Sequence, residues 1–258
     1  MQKKSKIFIS TIILFSILFL ISSCNQHKEH KLTIATAANM QFAMEEIISE
    51  FTKETGVKCE AIISSSGKLT AQIKEGAPYD IFVSADMKYP FDLYNDGFTT
   101  TKPNIYANGK LVLWSMIDTI KPNISLLLQK NIKHIASANP KTAPYGAATE
   151  QVLKYYQILD SIKSKLVFGE SIAQTNQFIT TKAAEIGFTA KSVILSPIIK
   201  NKGNWVAINE NTYTPISQGI VILKNSLTSI EKKEKFYNFL FSEKGKDILN
   251  KFGYSTSF

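Results

Sequence analysis

Between residues 32 and 84 the chain changes hydrophobic period four times, and this alternation restricts the fold more than any other feature. Leu32 to Ala37 (Leu-Thr-Ile-Ala-Thr-Ala) is a short apolar run suited to a buried strand. Ala43, Met44, Ile47, Ile48 and Phe51 then recur on one helical face, and Gly56 supplies the stop. A strand over Val57 to Ile63, a short helix over Leu69 to Glu75 and a strand over Ile81 to Ser84 complete the series. Strand, helix, strand, helix, strand in that order predicts a parallel sheet with helices on both faces, the α/β class.

Two turns in this unit share one geometry. Ala38-Asn39 and Ser65-Ser66-Gly67 each lie where a strand's carboxyl end passes into a helix, the place where open α/β sheets bind ligands. A serine there caps the first-turn N–H groups, and those same groups, with the helix dipole, attract anions. Ser64 to Leu69 therefore reads as an ordinary cap or as half of an oxyanion pocket. Gly67-Lys68 is no phosphate loop, because Ile62 and Leu69 stand where that motif needs a glycine and a Ser or Thr. Lys68 reads as a solvated first-turn residue.

Ile105 to Trp114 is extended and long enough to cross between two lobes, and a second α/β pattern begins there. Strands are expected over Ile132 to Ala136, Lys165 to Phe168, Glu185 to Thr189 and Trp205 to Ile208. Helices are expected over Tyr145 to Leu159, with Val152, Tyr155, Tyr156 and Leu159 at core spacing, and over Ser171 to Lys182. Tyr213 to Gly219 leads into a strand over Ile220 to Leu223, and Glu231 to Phe241 and Glu243 to Phe252 close the chain as helices.

Composition excludes several function classes. The net charge is +9, yet all 30 basic residues are lysine, and nucleic-acid readers rely on the bidentate guanidinium of arginine. No nucleic-acid partner is expected. Three histidines, His27, His30 and His134, form no metal-spaced pair, and no nucleophile turn of the Gly-x-Ser-x-Gly type is present. Asp80 and Asp86, flanking a strand, suit turn capping better than catalysis. No enzymatic activity is expected. Lys3, Lys4 and Lys6 followed by the apolar run Ile7 to Ile21 and by Ile21-Ser22-Ser23-Cys24 make an export signal over residues 1–23. The run is shorter than the roughly 20 apolar residues of a membrane span. Ile-Ser-Ser-Cys resembles a bacterial lipobox, which makes Cys24 the lipidated first residue of the mature chain and residues 24–31 a polar tether. The expected location is the periplasm or the outer face of the cell membrane. Cys59, alone in a strand pattern, reads as a small buried apolar residue.

Ala-Thr-Ala-Ala-Asn (35–39), Ser-Ser-Gly-Lys-Leu (65–69), Gly-Ala-Pro-Tyr-Asp-Ile-Phe-Val-Ser-Ala-Asp (76–86) and Pro-Ile-Ser-Gln-Gly (215–219) together resemble the molybdate-binding proteins of ABC-type molybdate importers. The resemblance runs from Leu32 to the Phe252-Gly253-Tyr254 ending, and Gly76 to Asp86 is its most specific part. It implies a two-lobed periplasmic-binding-protein fold of type II, each lobe a mostly parallel sheet flanked by helices, with the ligand in the interlobe cleft. Lobe 1 is then 31–108 with 216–258, and lobe 2 is 109–215. The implied ligand is molybdate or tungstate, held by neutral donors with no other cofactor. Ala38, Asn39 and Ser66 match the contacts of one lobe, and Tyr145 and Ile172 match backbone donors of the other. These would touch the oxyanion's oxygens and are not direct metal ligands. Ala190 stands where one branch of the family has a tyrosine whose hydroxyl contacts the anion. That places the chain nearer the branch with Ala-Asn in the first turn, and leaves the second lobe's donor set open. The implied partners are a membrane permease and an ATPase, with the receptor itself a monomer on a lipid anchor. A receptor for another oxyanion such as sulfate, or a surface sensor or interaction module on the same fold, are the alternatives.

Overall fold

The computed structural model describes residues 30–256 apart from 225 and 227. The export signal, Cys24 and the tether up to residue 29 lie outside the described residues. The strands are β1 (Leu32–Ala37), β2 (Cys59–Ser64), β3 (Ile81–Val83), β4 (Asn104–Gly109), β5 (Leu111–Ser115), β6 (Ile135–Ala138), β7 (Leu166–Gly169), β8 (Ile186–Ala190), β9 (Asn204–Ala207) and β10 (Ile216–Ile222). The helices are α1 (Gln41–Thr55), α2 (Ser66–Lys74), α3 (Lys88–Asn95), α4 (Pro144–Tyr155), α5 (Leu159–Ile162), α6 (Ile172–Thr180), α7 (Lys191–Ile194), α8 (Ile230–Phe241) and α9 (Glu243–Lys251).

Two five-stranded sheets form, in the orders β2-β1-β3-β10-β4 and β7-β6-β8-β5-β9. In each, two neighbouring pairs are parallel and two antiparallel. The sheets are therefore mixed rather than mostly parallel. The reason lies at the crossings: β4 runs straight on through Lys110 into β5, so each sheet receives one strand of a pair shared between lobes. β10 returns to the first sheet beside β4, with Ile216 opposite Gly109. The link between the lobes thus includes two adjacent chain segments.

β1 is buried on both faces, as its apolar run requires. On one side of the first sheet, Met44, Ile47 and Phe51 of α1 pack with Phe236, Leu240 and Leu249 of α8 and α9, and Phe51 meets Phe236 edge-on at 5.1 Å between centroids. On the other, Leu69 and Ile73 of α2 pack with Phe82, Leu93 and Val221. Gly56 ends α1 at φ +72°, its N–H bonded to the Thr52 carbonyl at 2.8 Å.

Two local expectations need correction. β10 begins at Ile216, four residues before the apolar run suggests, because the polar Ser217 and Gln218 pair with Asn108 and Ala107. Tyr155 and Tyr156 are not core residues: α4 ends at Tyr155 and Gln157 adopts φ +56°, which breaks the helical face. Tyr155 is 60% exposed, while Leu153 and Ile158 are buried.

Candidate functional site

Four strand-to-helix turns, two from each sheet's side of the chain, meet at one cavity. After β1 the chain makes a 3-10 turn at Ala38–Met40. After β2, Ser65 caps α2 by accepting the Lys68 N–H at 3.4 Å. After β6, Pro144 occupies the first turn of α4, where its missing N–H costs nothing. After β7, Ser171 caps α6 by accepting the Gln174 N–H at 3.4 Å.

The cavity is small, about 10 Å³, and is lined by Ala38, Asn39 and Ser66 from one lobe and by Tyr145 and Ile172 from the other. All five residues singled out in the sequence meet there. Ala85 joins them, and among the described residues no charged side chain lines the wall. A larger hollow of about 250 Å³ on the second lobe is lined by Leu153, Phe168, Glu150, Asp160 and Lys163 among others. Its charged wall holds two carboxylates against one lysine, and it is lined from one lobe alone.

What the smaller cavity offers is hydrogen-bond donors. The first-turn N–H groups of a helix have no partner within it, and Ser66, Tyr145 and Ile172 occupy such positions. Ser66 is fully buried, and its Oγ accepts the Ala85 N–H at 2.9 Å. One lone pair is thereby used and the hydroxyl hydrogen is left to donate. Asn39 is different. Its side-chain nitrogen donates to Gln218 Oε1 and to Tyr254 OH, both at 2.9 Å. Both amide hydrogens are committed, so its backbone N–H is what Asn39 has left to donate. The Tyr145 phenol is likewise engaged, accepting from Gln218 Nε2 at 3.2 Å. Burial pushes the Tyr145, Tyr106 and Tyr254 phenols well above their usual range, so all three stay neutral.

The lobes meet around the cavity. Gly67 N–H donates to the Thr142 carbonyl at 2.9 Å, Tyr89 OH to the Lys141 carbonyl at 3.2 Å, and Ser192 Oγ to the Asn39 carbonyl at 2.7 Å. Lys68 pairs with Glu170 at 3.1 Å; it faces solvent, as expected, and also reaches the opposite lobe. Gly67 must be glycine for this approach, since a Cβ would lie 2.9 Å from the Thr142 carbonyl oxygen. Ala190 does not line the cavity. Asp80 accepts the Thr33 N–H at 2.6 Å and Asp86 the Tyr89 N–H at 3.3 Å, which are structural roles.

Sequence reasoning assigned no role to Gln218, Tyr106, Tyr254 or Ser192. Gln218 carried a signal as part of the Pro-Ile-Ser-Gln-Gly segment, and Tyr254 as part of the Phe252-Gly253-Tyr254 ending.

The sequence pattern of the family described as bacterial extracellular solute-binding protein matches residues 32–255. The chain belongs to that family. Among relatives of this solute-binding protein, the molybdate-binding protein ModA of Azotobacter vinelandii is 38% identical over 223 residues, covering 86% of this chain and 88% of that one. The molybdate-binding protein ModA of Rhodobacter capsulatus is 34% identical, covering 86% and 87%. The solved periplasmic molybdate-binding protein of A. vinelandii superposes with a TM-score of 0.84 at 34% identity, over 88% of this chain and all of that one. The two-lobed solute-binding fold is thus shared over 88% of this chain.

Proposed function

We propose that this solute-binding protein is the receptor of an ABC-type importer that takes molybdate, and also tungstate, from outside the cell membrane. The observation carrying this reading is the convergence of helix starts from both lobes, with the Ser66 hydroxyl, on one uncharged cavity. A tetrahedral dianion taken out of water loses a very large hydration energy. Each hydrogen bond to a charged group returns about 1.5–3 kcal/mol, so several preorganised donors are needed. Ala38, Asn39, Ser66, Tyr145 and Ile172 supply them.

A wall built of donors rejects hydrogen phosphate, whose own proton meets no acceptor. Sulfate is excluded by size, being the smaller ion. No bond is made or broken, and the protein works by binding alone. Lobe 1 comprises residues 31–108 with 216–258 and lobe 2 residues 109–215. The monomer is held at the membrane by lipid on Cys24 and hands its ion to a permease driven by an ATPase.

Thermal unfolding with molybdate, tungstate, sulfate and phosphate tests the reading. Ligand at about 100 times its dissociation constant adds about 2.7 kcal/mol, a rise of several degrees for a chain of this size. The expected rise occurs with molybdate and tungstate only. Equal rises with sulfate would sink the specificity, and no rise with any oxyanion would favour a sensor or interaction module.

A further inference from the structure

Gln218 is completely buried on β10, the strand that returns from the second lobe to the first. Its Oε1 accepts from Asn39 Nδ2 at 2.9 Å and from Tyr106 OH at 2.7 Å, and its Nε2 donates to Tyr145 OH at 3.2 Å. One amide therefore joins a residue from each wall of the cavity. Asn39 and Tyr145 are 106 positions apart in the chain and belong to opposite lobes, yet both are tied to the same hinge-borne side chain. We propose that Gln218 is the positioning residue that fixes the separation of the two cavity walls, and so the size of tetrahedral oxyanion the site accepts.

The inference rests on the oxyanion reading above and extends it to the source of selectivity. Two ions of equal charge and shape differ to the site mainly in radius. A cleft between movable lobes can discriminate radius only if its closed width is set by something other than the ion. Gln218 has the position and the bonds to do this. Asn39, on its far side, is held by further bonds: Tyr254 OH accepts from its amide and donates to its carbonyl at 3.0 Å, and Ser192 Oγ reaches the same carbonyl at 2.7 Å. The first-turn backbone of Asn39 therefore has little freedom to follow a smaller ion.

The paired crossing strand closes on the same contact. A Cβ at Gly109 would collide with the Tyr145 hydroxyl and with Gln218 Nε2, so hinge backbone abuts the Gln218–Tyr145 bond with no room between them. The linkage is built of neutral groups, so it adds no charge to an anion site.

A purely structural role for Gln218 would lower stability and weaken all oxyanions by one common factor. A positioning role changes their ratio. The experiment is titration of wild type, Gln218→Met, Gln218→Glu and Gly109→Ala with molybdate and with sulfate, alongside unfolding without ligand. Gln218→Met keeps length and volume but removes all three bonds, and the molybdate-to-sulfate preference should fall by about two- to tenfold, the equivalent of one such neutral bond. Gln218→Glu keeps acceptors for Asn39 and Tyr106 but donates to Tyr145 only when protonated. Its preference should recover towards wild type as pH falls, measured against wild type at each pH. Gly109→Ala pushes on the same contact by an independent route and should shift the ratio even if Gln218→Met does not fold. Wild-type binding with an unchanged ratio in the variants, whatever their stability, overturns this inference alone. Wild type that binds no oxyanion overturns the functional reading and this one with it.

Discussion

Replacing Ser66 by alanine should act on two quantities at once, and the structure allows each to be sized. Ser66 Oγ accepts the Ala85 N–H at 2.9 Å, and both residues are buried. Alanine leaves that N–H without a partner, which costs about 1–3 kcal/mol of stability. The loss is present with and without ligand, so it cancels from the binding equilibrium. What remains in binding is the missing hydroxyl donor, worth about 1.5–3 kcal/mol against a charged ligand, or roughly ten- to a hundred-and-fifty-fold in dissociation constant. Calorimetric titration with molybdate reads the second effect, and thermal unfolding without ligand reads the first. The expected result is a weaker complex on a less stable protein. An affinity within about twofold of wild type, with stability reduced, would show that Ser66 only ties α2 to the Ala85 turn. Sequence reasoning sees the binding half alone, because nothing local relates residue 66 to residue 85.

Gly67→Ala should weaken binding while leaving ligand-free stability nearly unchanged, since the added Cβ meets the Thr142 backbone carbonyl of the opposite lobe at 2.9 Å, whereas its contact within its own lobe is the end of the Tyr89 side chain, which can rotate away; titration and solution scattering check this, and full affinity with full closure would refute it. Lys68→Gln should cost less than about 1 kcal/mol of binding, because the Lys68 and Glu170 side chains are 54% and 73% exposed; a hundredfold loss would make Lys68 the anion's counter-charge after all. Burial pushes the Cys59 thiol from 9.0 up to about 12, so the fold favours the neutral thiol and the unfolded chain loses its proton first as pH rises. That contribution is complete below about pH 9 and lost between about 9 and 12. Denaturation midpoints should fall across that window, less so in Cys59→Ala, and identical profiles for the two proteins would contradict the assignment.

How far the sequence predicts the molecule depends on the distance over which each feature is determined. β1 and β3 are legible because strands buried on both faces must be apolar throughout. The turns at Ala38 and Ser66 are legible because a cap and a period change are local signals. β10 is only half legible. Its first residues are Ile216, Ser217 and Gln218, and their pairing with β4 is decided by the hinge, not by their own hydrophobicity. Tyr155 and Tyr156 mislead because apolar spacing says nothing about where a helix stops; the left-handed Gln157 decides that. The network behind the cavity is out of reach for the same reason in stronger form. Asn39 meets Tyr254 across 215 residues and Gln218 across 179, and no window of sequence contains both ends.

The contacts that hold the lobes together without help from a ligand are few and individually modest. Lys68 and Glu170 form a solvated pair worth at most about 1 kcal/mol. The Gly67, Tyr89, Ser192 and Gln218–Tyr145 bonds are neutral, each with a net worth of about 0.5–1.5 kcal/mol, because in an open cleft water serves the same groups, and the buried apolar residues that lobe 1 adds to the shared cluster, Ala37, Ala38, Ala85 and Ile216, are mostly small. Closing an empty cleft would also strip water from the first-turn N–H groups on both walls and give them nothing in return. On the proposed reading a dianion changes that balance, since it would bond Ser66 on one wall and the α4 and α6 starts on the other only when the walls face each other. Its affinity for the closed form exceeds that for the open form by the donors of a whole lobe, and a ligand shifts a conformational equilibrium by that difference. The absence of a lysine from the wall belongs to the same design: a fixed cation on one lobe would hold the anion about equally well open or closed, and so would contribute affinity without closure.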